Sequence, residues 1–126
     1  MKYVCLSYLG PINWETMSER DRKASMEEFF AYLAETRKNG HIIGGEALQS
    51  AETATTLRSR NGEVAITDGP YAETKEQLAG FWIVEARDLN HAIQLMSKNP
   101  AVRGGAIEIR PAKDLADMDS ERERRD

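Results

Sequence analysis

Leu78-Ala79-Gly80-Phe81-Trp82-Ile83-Val84-Glu85-Ala86 is the stretch on which the fold turns. Strand side chains alternate between faces, and here both alternating sets are apolar. Phe81 and Ile83 form one set, Trp82 and Val84 the other. A strand that is apolar on both sides is covered on both sides. Helices can cover one face. The other needs a second layer that the rest of this chain does not obviously supply, and a second copy of the chain is the economical answer. Downstream, Asp88 is placed to cap a helix whose Leu89, Ala92, Ile93 and Met96 form an inward stripe, closed by Pro100. Ala106 to Arg110 then reads as a last strand, with Ile107 and Ile109 in and Glu108 and Arg110 out.

Upstream lies a hairpin. Thr55 to Arg60 and Glu63 to Asp68 flank Asn61-Gly62, the strongest two-residue turn signal. That turn predicts Arg60 opposite Glu63, Ser59 opposite Val64, Leu57 opposite Ile66 and Thr55 opposite Asp68. Asp68 therefore shares a face with Leu57, Val64 and Ile66. A carboxylate at the end of an apolar face stands at the rim of a pocket or needs hydrogen bonds to offset its burial. Before the hairpin, His41 to Leu48 reads as a strand, with Gly44-Gly45 marking a bulge or a close backbone approach. The helix ahead of it starts at an N-cap, Ser18, carries Met26, Phe29, Phe30 and Leu33 as its buried stripe, and ends at Gly40. Tyr3 to Leu9 is the first strand, stopped by Gly10-Pro11.

The order is strand, helix, strand, inserted hairpin, strand, helix, strand. This predicts an α+β chain with a ferredoxin-like split pattern over residues 1–113. Residues 114–126 are mostly charged and are expected to be a disordered tail.

Composition narrows the function classes. The chain has 126 residues, a formal net charge of −4 and a single cysteine, Cys5. The acidic balance argues against nucleic acid as a partner. One cysteine rules out an intrachain disulfide and suits a reducing compartment. No apolar run is long enough to span a bilayer and no N-terminal signal pattern is present, so a cytoplasmic protein without a membrane partner is expected.

The segment after the hairpin, Asp68-Gly69-Pro70-Tyr71-Ala72-Glu73-Thr74-Lys75-Glu76-Gln77, concentrates a turn, a proline and charged side chains between two strands. Loops on a rigid scaffold are where function sits. Asp68 is the candidate catalytic residue, a general acid or base. The alternative is a turn aspartate bonded to backbone amides two residues on. Glu46, Gly69, Pro70, Tyr71, Glu73 and Lys75 are candidate ligand-binding residues, and Glu76 could extend the polar cluster. His41 could shuttle protons or simply cap the last carbonyls of the first helix. His91 reads as solvated. The two histidines show no metal-ligand spacing, so neither a metal nor a cofactor is expected. Cys5 reads as a small core residue. Tyr8, Trp14, Tyr71, Phe81 and Trp82 are the aromatics available to line a cavity, but Phe81 and Trp82 cannot share one face.

Gly44 to Gln49, Thr53 to Thr56, Asp68 to Gln77, Ala79 to Phe81 and Ile107 to Pro111 together resemble the YCII-related family, in particular its Asp-Gly-Pro-Phe branch of small bacterial proteins. The similarity runs from about Met1 to Lys113, and the chain departs from that branch at Tyr71, where phenylalanine is usual. The resemblance implies a homodimer in which two ferredoxin-like sheets close into an α/β barrel around a polar cleft. In the broader family a histidine–aspartate pair is the proposed catalytic pair, and one member is a dehydrochlorinase acting on a chlorinated hydroxyquinol. Asp68 matches the motif aspartate. The histidine would lie near the start of the first helix, and Trp14 to Met26 contains none. Some members of the branch are encoded beside, or fused to, extracytoplasmic-function sigma factors. Two functions are therefore expected: a homodimer binding a small polar or aromatic molecule near Asp68, with acid–base catalysis open, or a non-catalytic sensor or partner module in transcriptional regulation.

Overall fold

The two-faced strand is the centre of the molecule. In the computed structural model, which describes residues 1–10 and 16–125, Gln77–Glu85 forms β5 and lies between β1 (Lys2–Leu9) and β2 (Ile42–Ala47). β6 (Gly105–Pro111) pairs with the far side of β1, so the spatial order is β2-β5-β1-β6 with antiparallel neighbours throughout. The hairpin strands β3 (Thr55–Arg60) and β4 (Glu63–Asp68) form a separate two-stranded sheet. The chain order is the one expected, an α+β split pattern with an inserted hairpin. The sheet of one chain is open, with β2 and β6 as its edges, and is not a closed barrel.

Alternation sorts the sheet into two faces. Tyr3, Cys5 and Ser7 of β1, Trp82 and Val84 of β5 and Ile42 of β2 are buried on one side. Helices α1 (Glu19–Lys38) and α2 (Leu89–Ser97) cover that side. Leu33, Ala92 and Met96 complete the core, with Phe29, Tyr32, Leu95, Ile107 and Ile109 packed against it. Each such large side chain contributes about 1.5–3 kcal/mol on full burial. One side-chain hydrogen bond joins the two helices and a second lies within α1. Tyr32 Oη donates to the Leu95 carbonyl across the helices at 2.7 Å, and Thr36 Oγ1 donates to the Tyr32 carbonyl at 2.6 Å. The other side of the sheet carries Val4, Leu6, Tyr8, Phe81 and Ile83, all half-buried, and none of them packs with the helix-covered core.

Local signals act as expected. Ser18 caps α1, its Oγ accepting from the Asp21 amide at 3.1 Å, and Asp88 caps α2, accepting from the His91 amide at 2.8 Å. At the end of α1, Gly40 and His41 donate their backbone amides to the Arg37 and Thr36 carbonyls. Asn61 and Gly62 take positive φ angles of 52° and 83°, the turn that matches strand twist. The hairpin register is the predicted one at every pair. The register shift between Ile42 and Gly44 is the expected bulge.

Several expectations need correction. On α1 the buried line runs through Phe29, Tyr32, Leu33 and Thr36, whereas Phe30 is 57% exposed and Met26 is exposed too. Phe30 sits one residue, about 100°, off that line. On α2, Ala92 and Met96 are buried but Leu89 and Ile93 are exposed. The residues after Asp114, read as disordered, form helix α4 (Leu115–Arg125), with the Asp114 carboxylate accepting from the Ala116 amide at 2.8 Å. The apolar hairpin face bearing Leu57, Val64 and Ile66 is not inside the chain: these residues are 63%, 67% and 71% exposed. Two short elements had no sequence prediction, a 3₁₀ turn at Ala51–Thr53 and the one-turn helix α3 (Ala101–Gly104).

Candidate functional site

The end of β4 delivers Asp68 to a groove of ≈ 560 Å³. Three segments far apart in sequence build it. The end of β1 gives Leu9 and Gly10, the 3₁₀ turn and its cap give Ser50, Ala51 and Glu52, and the loop into β5 gives Gly69, Pro70, Glu73 and Lys75, with Gln77 at the start of β5. The loop is braced by its own polar groups. The Gly69 amide donates to the Ala54 carbonyl at 2.7 Å, and Thr56 Oγ1 donates to the Gly69 carbonyl at 2.8 Å. Gln77 Nε2 donates to the Ala72 and Thr74 carbonyls at 3.1 and 2.9 Å, and the Thr74 hydroxyl donates to the Glu76 carbonyl. Gln77 is therefore a brace for the groove wall.

Asp68 itself is exposed. Its backbone pairs with Thr55, but among the described residues no hydrogen bond or ion pair reaches its carboxylate. The turn-aspartate alternative required such a bond. Among the described residues the groove thus presents the carboxylates of Asp68, Glu52 and Glu73 with the ammonium of Lys75. Carboxylates accept hydrogen bonds and attract cations, so this lining suits hydroxyl or amine donors on a ligand, with one anionic group for Lys75.

Of the residues read from sequence, Asp68, Gly69, Pro70, Glu73 and Lys75 converge on the groove. Glu46 and Tyr71 are not among its lining residues. Glu46 is exposed on β2 opposite Phe81. Tyr71 turns outward beneath the Arg58 guanidinium, 4.8 Å from its ring centroid, in a cation–π contact with the hairpin. Trp82 belongs to the core, its ring 6.4 Å from that of Phe29, while Phe81 and Tyr8 lie on the open sheet face. Trp14 lies outside the described residues. The sequence reading missed Leu9, Gly10, Ser50, Ala51, Glu52 and Gln77. Only the Ser50-Ala51-Glu52 run carried a local signal, since Ser50 caps the 3₁₀ turn by accepting from the Glu52 amide.

The histidines meet elsewhere. His41 and His91, distant in sequence, stack edge to face with ring centroids 5.0 Å apart. His91 is half-buried, which corrects its reading as solvated. Its Nδ1 accepts the Arg87 amide at 3.0 Å, which requires the ring to be neutral at that nitrogen. Partial burial, then the Arg87 and His41 charges, hold His91 below its ordinary range, against the opposing pull of Asp88. The His41 ring lies with Nδ1 3.3 Å from the Glu85 carbonyl, so it bonds to β5 and not to the helix carbonyls. Among the described residues no three of histidine, cysteine, aspartate and glutamate gather as a metal-holding group. No helix among them is long and apolar enough to cross a membrane. Cys5 is fully buried, and burial pushes its thiol up to about 11.

An uncharacterized protein of Rhizobium meliloti (strain 1021) is 31% identical to this chain over 115 residues, covering 88% of this chain and 91% of its own length. The family model described as the YCII-related domain matches residues 1–116. With both the sheet core and the Asp68 groove inside that match, the chain belongs to the YCII-related domain family.

Proposed function

We propose that this YCII-related protein is a homodimer that binds a small polar molecule in the Asp68 groove, with Asp68 as the group that can exchange a proton with it. The observation that carries the reading is Asp68 itself: a carboxylate with no bond to the protein among the described residues, beside Glu52, Glu73 and Lys75 in one groove. A side chain without a structural partner, held on a braced loop, is free to engage a ligand. The preferred ligands are hydroxylated or amine-bearing small molecules with one anionic group, including hydroxylated aromatics. The half-buried apolar face of Val4, Leu6, Phe81 and Ile83 supports the dimer.

The test is a thermal-shift screen of hydroxylated aromatics, carboxylates and amino compounds against wild type and Asp68→Asn. A ligand at about a hundred times its Kd adds ~2.7 kcal/mol to wild-type stability. The expected outcome is a shift in wild type that is lost in Asp68→Asn, with the two unliganded proteins melting alike. No shift across the panel would refute the reading and favour a partner module in transcriptional regulation.

A further inference from the structure

We propose that the ligand of the Asp68 groove is a zwitterion, an amino acid or a close amino carboxylate, and that Lys75 is the residue that selects it. The inference rests on the reading of this groove as a ligand site and names the chemical class that fills it.

The groove is apolar where it is half-buried and charged where it is open. Leu9, Ala51 and Pro70 are half-buried, whereas Glu52, Asp68, Glu73 and Lys75 are exposed. Carboxylates and an ammonium lining one groove would ordinarily pair with one another. Here they do not: among the described residues no ion pair or hydrogen bond reaches any of these four side chains. The backbone that carries them is fixed. Gln77 Nε2 holds the Ala72 and Thr74 carbonyls on either side of Glu73, and the Gly69 amide next to Asp68 is tied to the Ala54 carbonyl. Groups of both signs are thus held in one groove with their bonding capacity unspent.

Charge decides between the donor classes that fit. Among the described lining residues Lys75 is the one cation, facing three carboxylates. A ligand hydroxyl donates to a carboxylate but leaves these like charges uncompensated. An ammonium brings three donors and a positive charge to them, and hydrogen bonds between charged groups are the stronger kind. An amine with no acid group leaves Lys75 without a partner. An acid with no amine meets the excess of carboxylates. A ligand carrying both charges satisfies both sides of the groove, with its ammonium on Asp68 and its carboxylate on Lys75. The rest of the molecule then lies against Leu9, Ala51 and Pro70, which favours an amino acid with an apolar side chain.

Titration of the full chain followed by amide NMR tests this with two sets of probes. L-phenylalanine is compared with phenethylamine, which lacks the carboxylate, and with hydrocinnamate, which lacks the ammonium. L-leucine, isoamylamine and isocaproate form the second set. The expected result is that in at least one set the amino acid binds at least about tenfold more tightly than either analogue, shifting the Gly69 and Lys75 amides. Lys75→Gln should erase its advantage over the amine, and Asp68→Asn its advantage over the acid. An amine or an acid that binds as tightly as its amino acid, or hydroxylated aromatics binding where neither amino acid does, overturns the zwitterion and leaves the groove standing as a ligand site. Equal affinity of wild type and Lys75→Gln for the amino acid overturns Lys75 as the selecting residue. If neither these probes nor hydroxylated aromatics shift the groove amides, both readings fall.

Discussion

Replacing Gly45 by alanine probes the joint between β2 and the central strand. Gly45 has φ of 139°, which an L side chain rarely adopts. A Cβ there would stand 2.3 Å from the Phe81 carbonyl oxygen and 2.9 Å from Trp82 Cα. Ordinary contact begins near 3.4 Å, so one strand must move by about 1 Å. β5 is bonded to β1 on one side and β2 on the other, so the edge strand β2 is the one that yields. The backbone strain costs about 1–2 kcal/mol. Loosening one or two ladder bonds adds about 1 kcal/mol each. Together Gly45→Ala should cost ~2–4 kcal/mol. Urea unfolding followed by the fluorescence of the buried Trp82 reads this as a midpoint lowered by roughly 1–2 M. Gly62→Ala is the control. Its φ of 83° is also positive but no atom lies within 4 Å of the added Cβ, so strain alone remains, at about 1 kcal/mol. If Gly45→Ala cost no more than Gly62→Ala, the close approach would not constrain the β2–β5 joint and the reasoning would be wrong.

Two further outcomes follow from the same geometry. His91 is held neutral in the folded chain, so the unfolded state binds more protons below its ordinary pKa of about 6.5. Its contribution to stability is complete above that value and is lost as pH falls from there towards the lower folded value. The urea midpoint should therefore drop as pH falls below about 6.5, and His91→Asn should flatten the drop; an unchanged slope would rule out His91 as its source. Glu85, held low chiefly by its hydrogen bond to the N-terminal ammonium, changes stability only at more acidic pH. Deleting residues 114–126 removes α4, whose described side chains are all exposed, and should move Tm by no more than about 2 °C; a drop several times larger would mean the tail packs on the domain.

The fold was legible wherever its cause was local. Asn61-Gly62 imposes a turn that fixes the partner of every hairpin residue, and Ser18 and Asp88 satisfy helix amides within three residues of themselves. Gly44-Gly45 announced the bulge because only a backbone without Cβ can approach Phe81 so closely. The inward lines of α1 and α2 were only partly legible. Periodicity orders side chains around a helix, but Phe30 and Ile93 are left exposed by how each helix lies over the sheet.

By itself the sequence determined the element order, the hairpin register, the two-faced central strand and the loop bearing Asp68, Gly69, Pro70, Glu73 and Lys75. These follow from turn chemistry, capping and alternation, which act over a few residues. Only the tertiary structure decided that Leu9, Ser50 and Glu52 wall the same groove, that Tyr71 turns away to meet Arg58, and that His41 touches His91. Those contacts depend on the strand order β2-β5-β1-β6, which brings distant segments together through packing that no short stretch encodes. The exposure of Leu57, Val64 and Ile66 was likewise hidden, because an apolar face in sequence reads the same whether its cover is the chain itself or another molecule.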